Sequence, residues 1–186
     1  MATLPPAWLQ FAANPDHAAP QSAIRQPLTT EAEPMSLAEP PPLNAIEVRR
    51  SAIHGEGVFA ARKLARGTVI GRYAGRRYAA DAVGEQDWNH ALTYVFGLAD
   101  GSVIDGSDGG NATRYINHSC APNCVAHEVD GDDGERCIEI EALRSIAPGA
   151  ELFLDYALDA GDNDPADYAC RCGAKACRGT LLAASA

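Results

Sequence analysis

The sequence predicts a mainly β protein built of small sheets with short helical insertions, and three observations carry that expectation. Apolar runs after Ile46 are short and separated by glycine-rich turn signals; Cys137 to Ala142 alternates as a half-buried strand does; and no segment sustains a helical period over several turns.

Taken in order, the short runs are Val69-Ile70, Tyr94-Val95-Phe96, Val103-Ile104, Ile138-Glu139-Ile140 and Leu152-Phe153-Leu154. Each is long enough for a strand and too short for a buried helix. Helix signals are few. Asp81 to Leu92 is expected to be partly helical, and Asn111 has the side chain to cap a short helical turn running through Arg114-Tyr115 toward Asn117.

The first 44 residues hold nine of the twelve prolines, ending in Pro40-Pro41-Pro42, and have no sustained apolar period. Such a segment buries too little surface to offset its chain entropy, so residues 1–44 are expected to be a flexible leader. Trp8, Leu9 and Phe11 are its one apolar cluster. The opening Met-Ala-Thr-Leu-Pro-Pro lacks the basic and apolar regions of a secretory signal, and no run reaches the length of a membrane span. An intracellular setting is therefore expected: cytoplasmic in a bacterium, cytoplasmic or nuclear in a eukaryote. Thirteen arginines against two lysines, with abundant alanine, are the usage expected of a GC-rich, bacterial genome. Nothing in the sequence fixes the oligomeric state.

Charge is uneven. The net charge is −10, yet residues 49–77 carry eight basic residues against Glu56 alone, and residues 85–167 carry eighteen acidic residues against Arg114, Arg136 and Arg144. The acidic part is expected either to keep the chain soluble or to attract a cationic peptide to a groove flanked by residues 85–133 and 159–167. An acidic chain is not expected to bind nucleic acid directly, although the basic stretch has the charge to serve a bound anion.

Six cysteines divide into two classes. Cys170, Cys172 and Cys177 lie within eight residues around Gly173, and with Cys120 they make the inventory of a closed four-thiolate zinc site. That site would pin the tail beside Asn117 and His118. Cys124 and Cys137 have no such spacing and are expected to pack in the core.

The segments Ser51-Ala-Ile-His54-Gly55-Glu56-Gly57-Val-Phe-Ala60, Tyr94-Val-Phe96, Gly110-Asn111-Ala-Thr-Arg-Tyr-Ile-Asn117-His118-Ser-Cys120-Ala-Pro-Asn-Cys124, Glu151-Leu-Phe-Leu-Asp155-Tyr156 and Cys170-Arg-Cys172-Gly-Ala-Lys-Ala-Cys177-Arg-Gly together resemble a SET-domain protein lysine methyltransferase with its post-SET zinc segment. The resemblance covers about residues 45 to 183. It implies a SET domain over 45–160, a post-SET segment over 161–186, and a pseudoknot-like core in which Asp155-Tyr156 threads past the Asn117-His118 loop. It also implies S-adenosylmethionine and Zn2+ as cofactors and a basic protein or peptide as the lysine-bearing partner.

On that resemblance, the backbone of His54, Gly55, Glu56 and Gly57 cradles S-adenosylmethionine, while Asn117 and His118 hold its amino-acid and adenine groups. Tyr94 sits near the sulfonium, and Arg171 with Leu181 closes over the adenine. Tyr156 orients the target amine with Tyr94 as its companion, and Cys120, Cys170, Cys172 and Cys177 hold the zinc. Two positions depart from the family. Leu154 stands where Tyr or Phe is common, which leaves the number of methyl groups transferred open, and Glu56 stands where an aromatic or basic residue is frequent.

The chemistry demands a neutral amine aligned in line with a sulfonium, and a lysine starts with a pKa of about 10.4. Desolvation in an apolar channel lowers that value and alignment supplies further acceleration. Competing classes are an idle SET-like module that binds basic tails, a zinc-only interaction module, and a Cys-His hydrolase using His118 and Cys120. The second leaves Gly55, Gly57, Asn117 and Tyr156 unexplained, and the third lacks an orienting third residue.

Overall fold

The computed structural model describes residues 43–85, 94–131, 134–160 and 164–183. Ten strands appear in chain order: β1 Ile46–Arg50, β2 Glu56–Ala60, β3 Val69–Arg72, β4 Arg76–Tyr78, β5 Val95–Gly97, β6 Val103–Asp105, β7 Asn117–His118, β8 Cys124–Asp130, β9 Arg136–Ala142 and β10 Phe153–Leu154. They form four small sheets: the β1–β2 hairpin, a β4-β6-β5 sheet, a β3-β9-β8 sheet and a parallel β7–β10 pair.

Every apolar run that predicts a strand forms one. β9 shows why: from Ile138 onward its residues alternate between buried and half-buried, so one face meets the core and the other the surface. Four strands had weaker signals. β1 and β4 are rich in charge, β7 is two residues long, and β8 is half-buried along most of its length. Pairing creates these strands. β8 runs antiparallel to β9 from Cys124↔Ala142 to Asp130↔Arg136, a long ladder whose register β9 dictates.

Asn111 caps a 3-10 turn at Ala112–Tyr115, accepting a hydrogen bond from the Thr113 backbone N–H. Of the helix expected over residues 81–92, only a 3-10 turn at Val83–Glu85 falls within the described residues. Leu43–Ala45 forms a 3-10 turn, and Ala45 is buried in the core. The rest of the expected leader, including Trp8, Leu9 and Phe11, lies outside the described residues.

The main core joins Val58, Leu64, Ile70, Ile104, Ile138, Ile140, Leu152 and Leu154, so all four sheets bury against one apolar centre. Cys124 and Cys137 are both buried, as packing residues should be. A smaller cluster of Val83, Val95 and Val103 lies under the β4-β6-β5 sheet.

One crossing positions the functional region. The chain from 151 to 156 passes beside the loop 116–123 and is hydrogen-bonded along its length: Ser119 N–H to Leu154 O at 2.9 Å, Leu152 N–H to Val58 O at 2.8 Å, and Asn123 N–H to Phe153 O at 3.2 Å. The buried Asn123 side chain adds two bonds of its own, donating to Glu151 O at 2.7 Å and accepting from Phe153 N–H at 2.7 Å. A side-chain amide here does what a third strand would do, because it presents a donor and an acceptor together.

Charge pairing accounts for much of the lopsided sequence. Arg72 reaches Glu139, Arg76 reaches Asp108, Arg77 reaches Glu135 and Arg136 reaches both Glu128 and Asp130. The basic first half is folded against the acidic second half, which leaves less free negative charge for a peptide groove than the sequence alone suggests.

Asn123→Ala should cost about 2–4 kcal/mol, because it strands one carbonyl and one N–H at a buried crossing. Thermal unfolding should show a midpoint roughly 10 °C lower. An unchanged midpoint would mean that the crossing is held by other contacts.

Candidate functional site

Three groups of residues meet at the crossing. The first is the turn before β2. Gly55 adopts φ +48, a left-handed conformation that favours glycine, and turns the backbone so that the carbonyls of His54 and Glu56 face Asn117. Asn117 Nδ2 lies 3.2 Å from His54 O, 2.9 Å from Glu56 O and 3.1 Å from Glu151 Oε1. An amide nitrogen has two hydrogens, so three acceptors share two donors and the spot keeps spare acceptor capacity. That surplus suits an ammonium group. Gly57 is required for a different reason: a Cβ there would collide with the Glu151 carboxylate. His54 and Glu56 themselves point outward, so this turn presents main chain and not side chains.

The second group is an aromatic pocket lined by Tyr73, Tyr94, Phe96, Arg114, Ile116, Leu154 and Tyr156, among others. Tyr94 and Tyr156, singled out from sequence, therefore face one space. So does Leu154, whereas Phe153 is outside the lining; the strand register assigns Leu154 to the pocket. Tyr156 donates its hydroxyl hydrogen to Ile116 O at 2.9 Å. Burial, reinforced by the neighbouring Tyr94, pushes the Tyr156 hydroxyl well above the ordinary phenol range. It stays protonated and is no base. Tyr73 is shifted the same way, chiefly by burial, and donates to Tyr94 O at 2.7 Å, which fixes the backbone of Tyr94.

Sequence reasoning passed over Arg114 and Tyr115 as site residues. The Arg114 guanidinium lies 4.6 Å from the Tyr115 ring centre and 5.7 Å from that of Tyr94, and it donates to Gly106 O at 2.9 Å. A fixed cation thus stands in the pocket wall.

The third group is the cysteine cluster. Cys120 Sγ lies 3.7 Å from Cys170 Sγ and 3.9 Å from Cys177 Sγ. Four sulfurs at about 2.3 Å around one tetrahedral ion stand about 3.8 Å apart, so the spacing fits zinc. Each sulfur also receives a backbone N–H at 3.4 Å: Cys120 from Arg178, Cys170 from Cys172, Cys172 from Cys120 and Cys177 from Gly179. Such donors stabilise thiolates rather than thiols. Neighbouring thiols are pushed in opposite directions: burial and the adjoining sulfurs push Cys170 up to about 12, while Cys172, despite burial, is held down at about 6 by N–H donors and its sulfur neighbours. A divalent cation removes that conflict.

His118 belongs to the same cluster, its Nε2 lying 3.3 Å from Cys120 Sγ. Its role follows from its other nitrogen. Nδ1 accepts the Tyr156 N–H at 3.0 Å, which leaves the proton on Nε2 and makes His118 a donor to the sulfur, not a metal ligand. Both ring nitrogens are engaged within the protein and the side chain is buried. Burial is also the main reason that its pKa lies below the usual imidazole value.

The tail is sewn on at a second point. Arg178 grips Asp155 with two bonds of 2.7 Å, and this pair outweighs burial to hold the Asp155 carboxyl below the usual carboxylate range. Ala157, at φ +46, turns the chain sharply after Tyr156 so that Leu158 pairs with Leu182 and donates to Leu181 O at 3.0 Å. Leu181 is thereby brought to the crossing. Arg171 is exposed between Cys170 and Cys172, and among the described residues no hydrogen bond or ion pair joins its side chain to the other site residues.

A SET domain profile matches residues 55–157, more than half of the chain. Histone-lysine N-methyltransferase 2B of Homo sapiens is 40% identical over 141 residues, covering 72% of this chain and 5% of that protein. The H3 lysine-4 specific histone-lysine N-methyltransferase of Candida albicans is 35% identical over 137 residues, covering 71% of this chain and 13% of that protein. The chain thus spans a small part of the curated relatives it matches. Among solved structures, an active polycomb repressive complex 2 in the stimulated state aligns with a TM-score of 0.52 at 28% identity, covering 59% of this chain and 15% of that one. A ctPRC2 in an autoinhibited conformation bound to S-adenosylmethionine aligns with a TM-score of 0.51 at 28% identity, covering 65% and 16%.

Elemental analysis of the reduced protein should find about one zinc per chain, as expected for four thiolates closing a structural site. Cys177→Ser should lose most of it. A metal-free protein with an undisturbed tail would overturn the assignment.

Proposed function

The chain belongs to the SET-domain family, and from that premise we propose that it is a protein-lysine N-methyltransferase, moving methyl groups from S-adenosylmethionine to a lysine of a basic, histone-like protein. The observation that carries this reading is the position of Tyr94, Leu154 and Tyr156 in one pocket beside the Asn117 crossing. A binding module for basic tails has no need of a buried, protonated tyrosine at the end of an aromatic channel.

The residues present suit the cofactor. The spare acceptors around Asn117 Nδ2 match the ammonium of its methionyl part, and Gly57 keeps the main chain open there. Gly55, Glu56, the main chain of His118, Leu181 and the exposed Arg171 complete the proposed enclosure. When bound, S-adenosylmethionine supplies an electrophilic methyl group on a cationic sulfur.

The protein's own part is to deliver a neutral amine to that methyl. Entry into a pocket walled by Tyr73, Tyr94, Phe96 and Leu154 removes water from the lysine and lowers its pKa. The Arg114 guanidinium in the same wall acts in the same direction, since a neighbouring cation disfavours an ammonium. Tyr156 has spent its hydrogen on Ile116 O, so its oxygen is an acceptor for an amine N–H. Accepting there turns the nitrogen lone pair away from Tyr156 and aligns it for attack. The amine proton leaves to solvent, because Tyr156 is not ionised and has no capacity to take it.

Tyr156→Phe should lower turnover about 100-fold through lost alignment while leaving cofactor affinity nearly intact, and the inflection of its pH–rate profile should not move because the hydroxyl is not the base. Asn117→Ala should instead weaken cofactor binding about 10- to 100-fold, from released polar partners at the turn. Calorimetry and peptide methylation separate the two. Cofactor binding without turnover on any basic peptide would favour the idle module.

A further inference from the structure

Ion pairing leaves several exposed cations over among the described residues, and four of them lie on two neighbouring segments. Arg62, Lys63, Arg66 and Arg144 are exposed, and none of them forms an ion pair among the described residues. They are far apart in sequence but adjacent in the fold. Leu64 N–H donates to Ile146 O at 3.0 Å and Ile146 N–H returns a bond to Leu64 O at 2.9 Å, while Gly67 N–H reaches Ala142 O at 2.8 Å. This isolated antiparallel bridge, with the Gly67 bond to Ala142, sets the turn 65–68 that carries Arg66 beside the bend 143–144 that carries Arg144.

Neither 61–68 nor 143–150 contains an acidic residue. Glu141 stands at the border, 4.0 Å from where a Cβ on Gly67 would lie, but it faces His127 at 3.7 Å. No hydrogen bond or ion pair connects the four cations to Asn117, Tyr156 or the cysteine cluster among the described residues.

We infer that this edge is a docking surface for the phosphate backbone of a nucleic-acid duplex. The choice of partner follows from what the patch has and lacks. Protein partners are held by a desolvated apolar or aromatic centre, and among the described residues the only large apolar side chain exposed beside these cations is Leu143. Phosphates ask for no such centre; clustered, accessible guanidinium and ammonium groups suffice, and arginine matches a phosphate with two parallel bonds. The expectation from composition that an acidic chain avoids nucleic acid is thereby revised locally. Charges more than about 8 Å away are screened at physiological ionic strength, and many of the acids on the β3-β9-β8 sheet are already occupied by Arg72, Arg77 and Arg136.

The test is fluorescence anisotropy of a short labelled duplex titrated with the zinc-loaded full chain. Four phosphate contacts predict a slope of log affinity against log salt of about −3.6, which is roughly a 100-fold loss between about 50 and 200 mM salt. Arg66→Gln combined with Arg144→Gln should halve that slope to about −1.8. The charge reversals Arg66→Glu and Arg144→Glu together should abolish binding, whereas Lys175→Gln should leave it unchanged. All these variants should methylate a free basic peptide as the parent does, so the enzymatic reading and the docking reading can fail separately. No binding at low salt, full binding by the charge-reversed variant, or stronger competition by polyglutamate than by unlabelled duplex would each overturn the proposal, the last in favour of an acidic protein partner.

Discussion

The bond network that locks the 151–156 segment against the 116–123 loop is the constraint on which the rest of the site depends. Asn123 supplies a donor and an acceptor to Glu151 and Phe153, Ser119 bonds Leu154, and His118 accepts from the backbone of Tyr156. These are polar contacts in a region of low exposure, where an unmade bond costs more than a made one contributes. The segment therefore has one register. That register decides that Leu154 and Tyr156 enter the aromatic pocket, while Glu151 meets Asn117 and Gly57 on the other side.

His118 connects this crossing to the metal cluster. One ring nitrogen fixes the Tyr156 backbone and the other faces Cys120 Sγ, so the tautomer demanded by the first contact is the one that serves the second. Arg178 makes a parallel connection, its backbone N–H on Cys120 Sγ and its guanidinium on Asp155. Through these two residues the cysteine cluster is tied to the same few atoms that place Tyr156. The tail is more than a cover. Its anchorage and the geometry of the pocket are set by shared contacts.

Electrostatics follow the same logic of shared partners. The basic first half of the chain and its acidic second half neutralise each other across the β3-β9-β8 and β4-β6-β5 sheets, through pairs such as Arg72 with Glu139 and Arg76 with Asp108. Such exposed or half-exposed pairs stabilise little individually. Their larger effect is to select which charges stay free. The edge at Arg66 and Arg144 is one place where cations stay without an ion pair among the described residues, and net charge conceals it.

Sequence by itself determined the β class, the strands at Val69, Val95, Val103, Ile138 and Phe153, the capped turn at Asn111, and a cysteine spacing with the stoichiometry of a zinc cluster. Each is legible because its cause is local: alternation, turn chemistry, a side chain bonding two residues onward, or ligand types close in the chain. Tertiary structure decided what depends on contacts between distant segments. It made strands of β1, β4, β7 and β8 by pairing them, set the ring of His118 between the Tyr156 backbone and Cys120, and brought Arg114 and Tyr115 against Tyr94. It also chose Leu154 over Phe153 for the pocket. No periodicity encodes such choices, because hydrogen bonding and charge pairing across dozens of residues are fixed only when the chain has closed on itself.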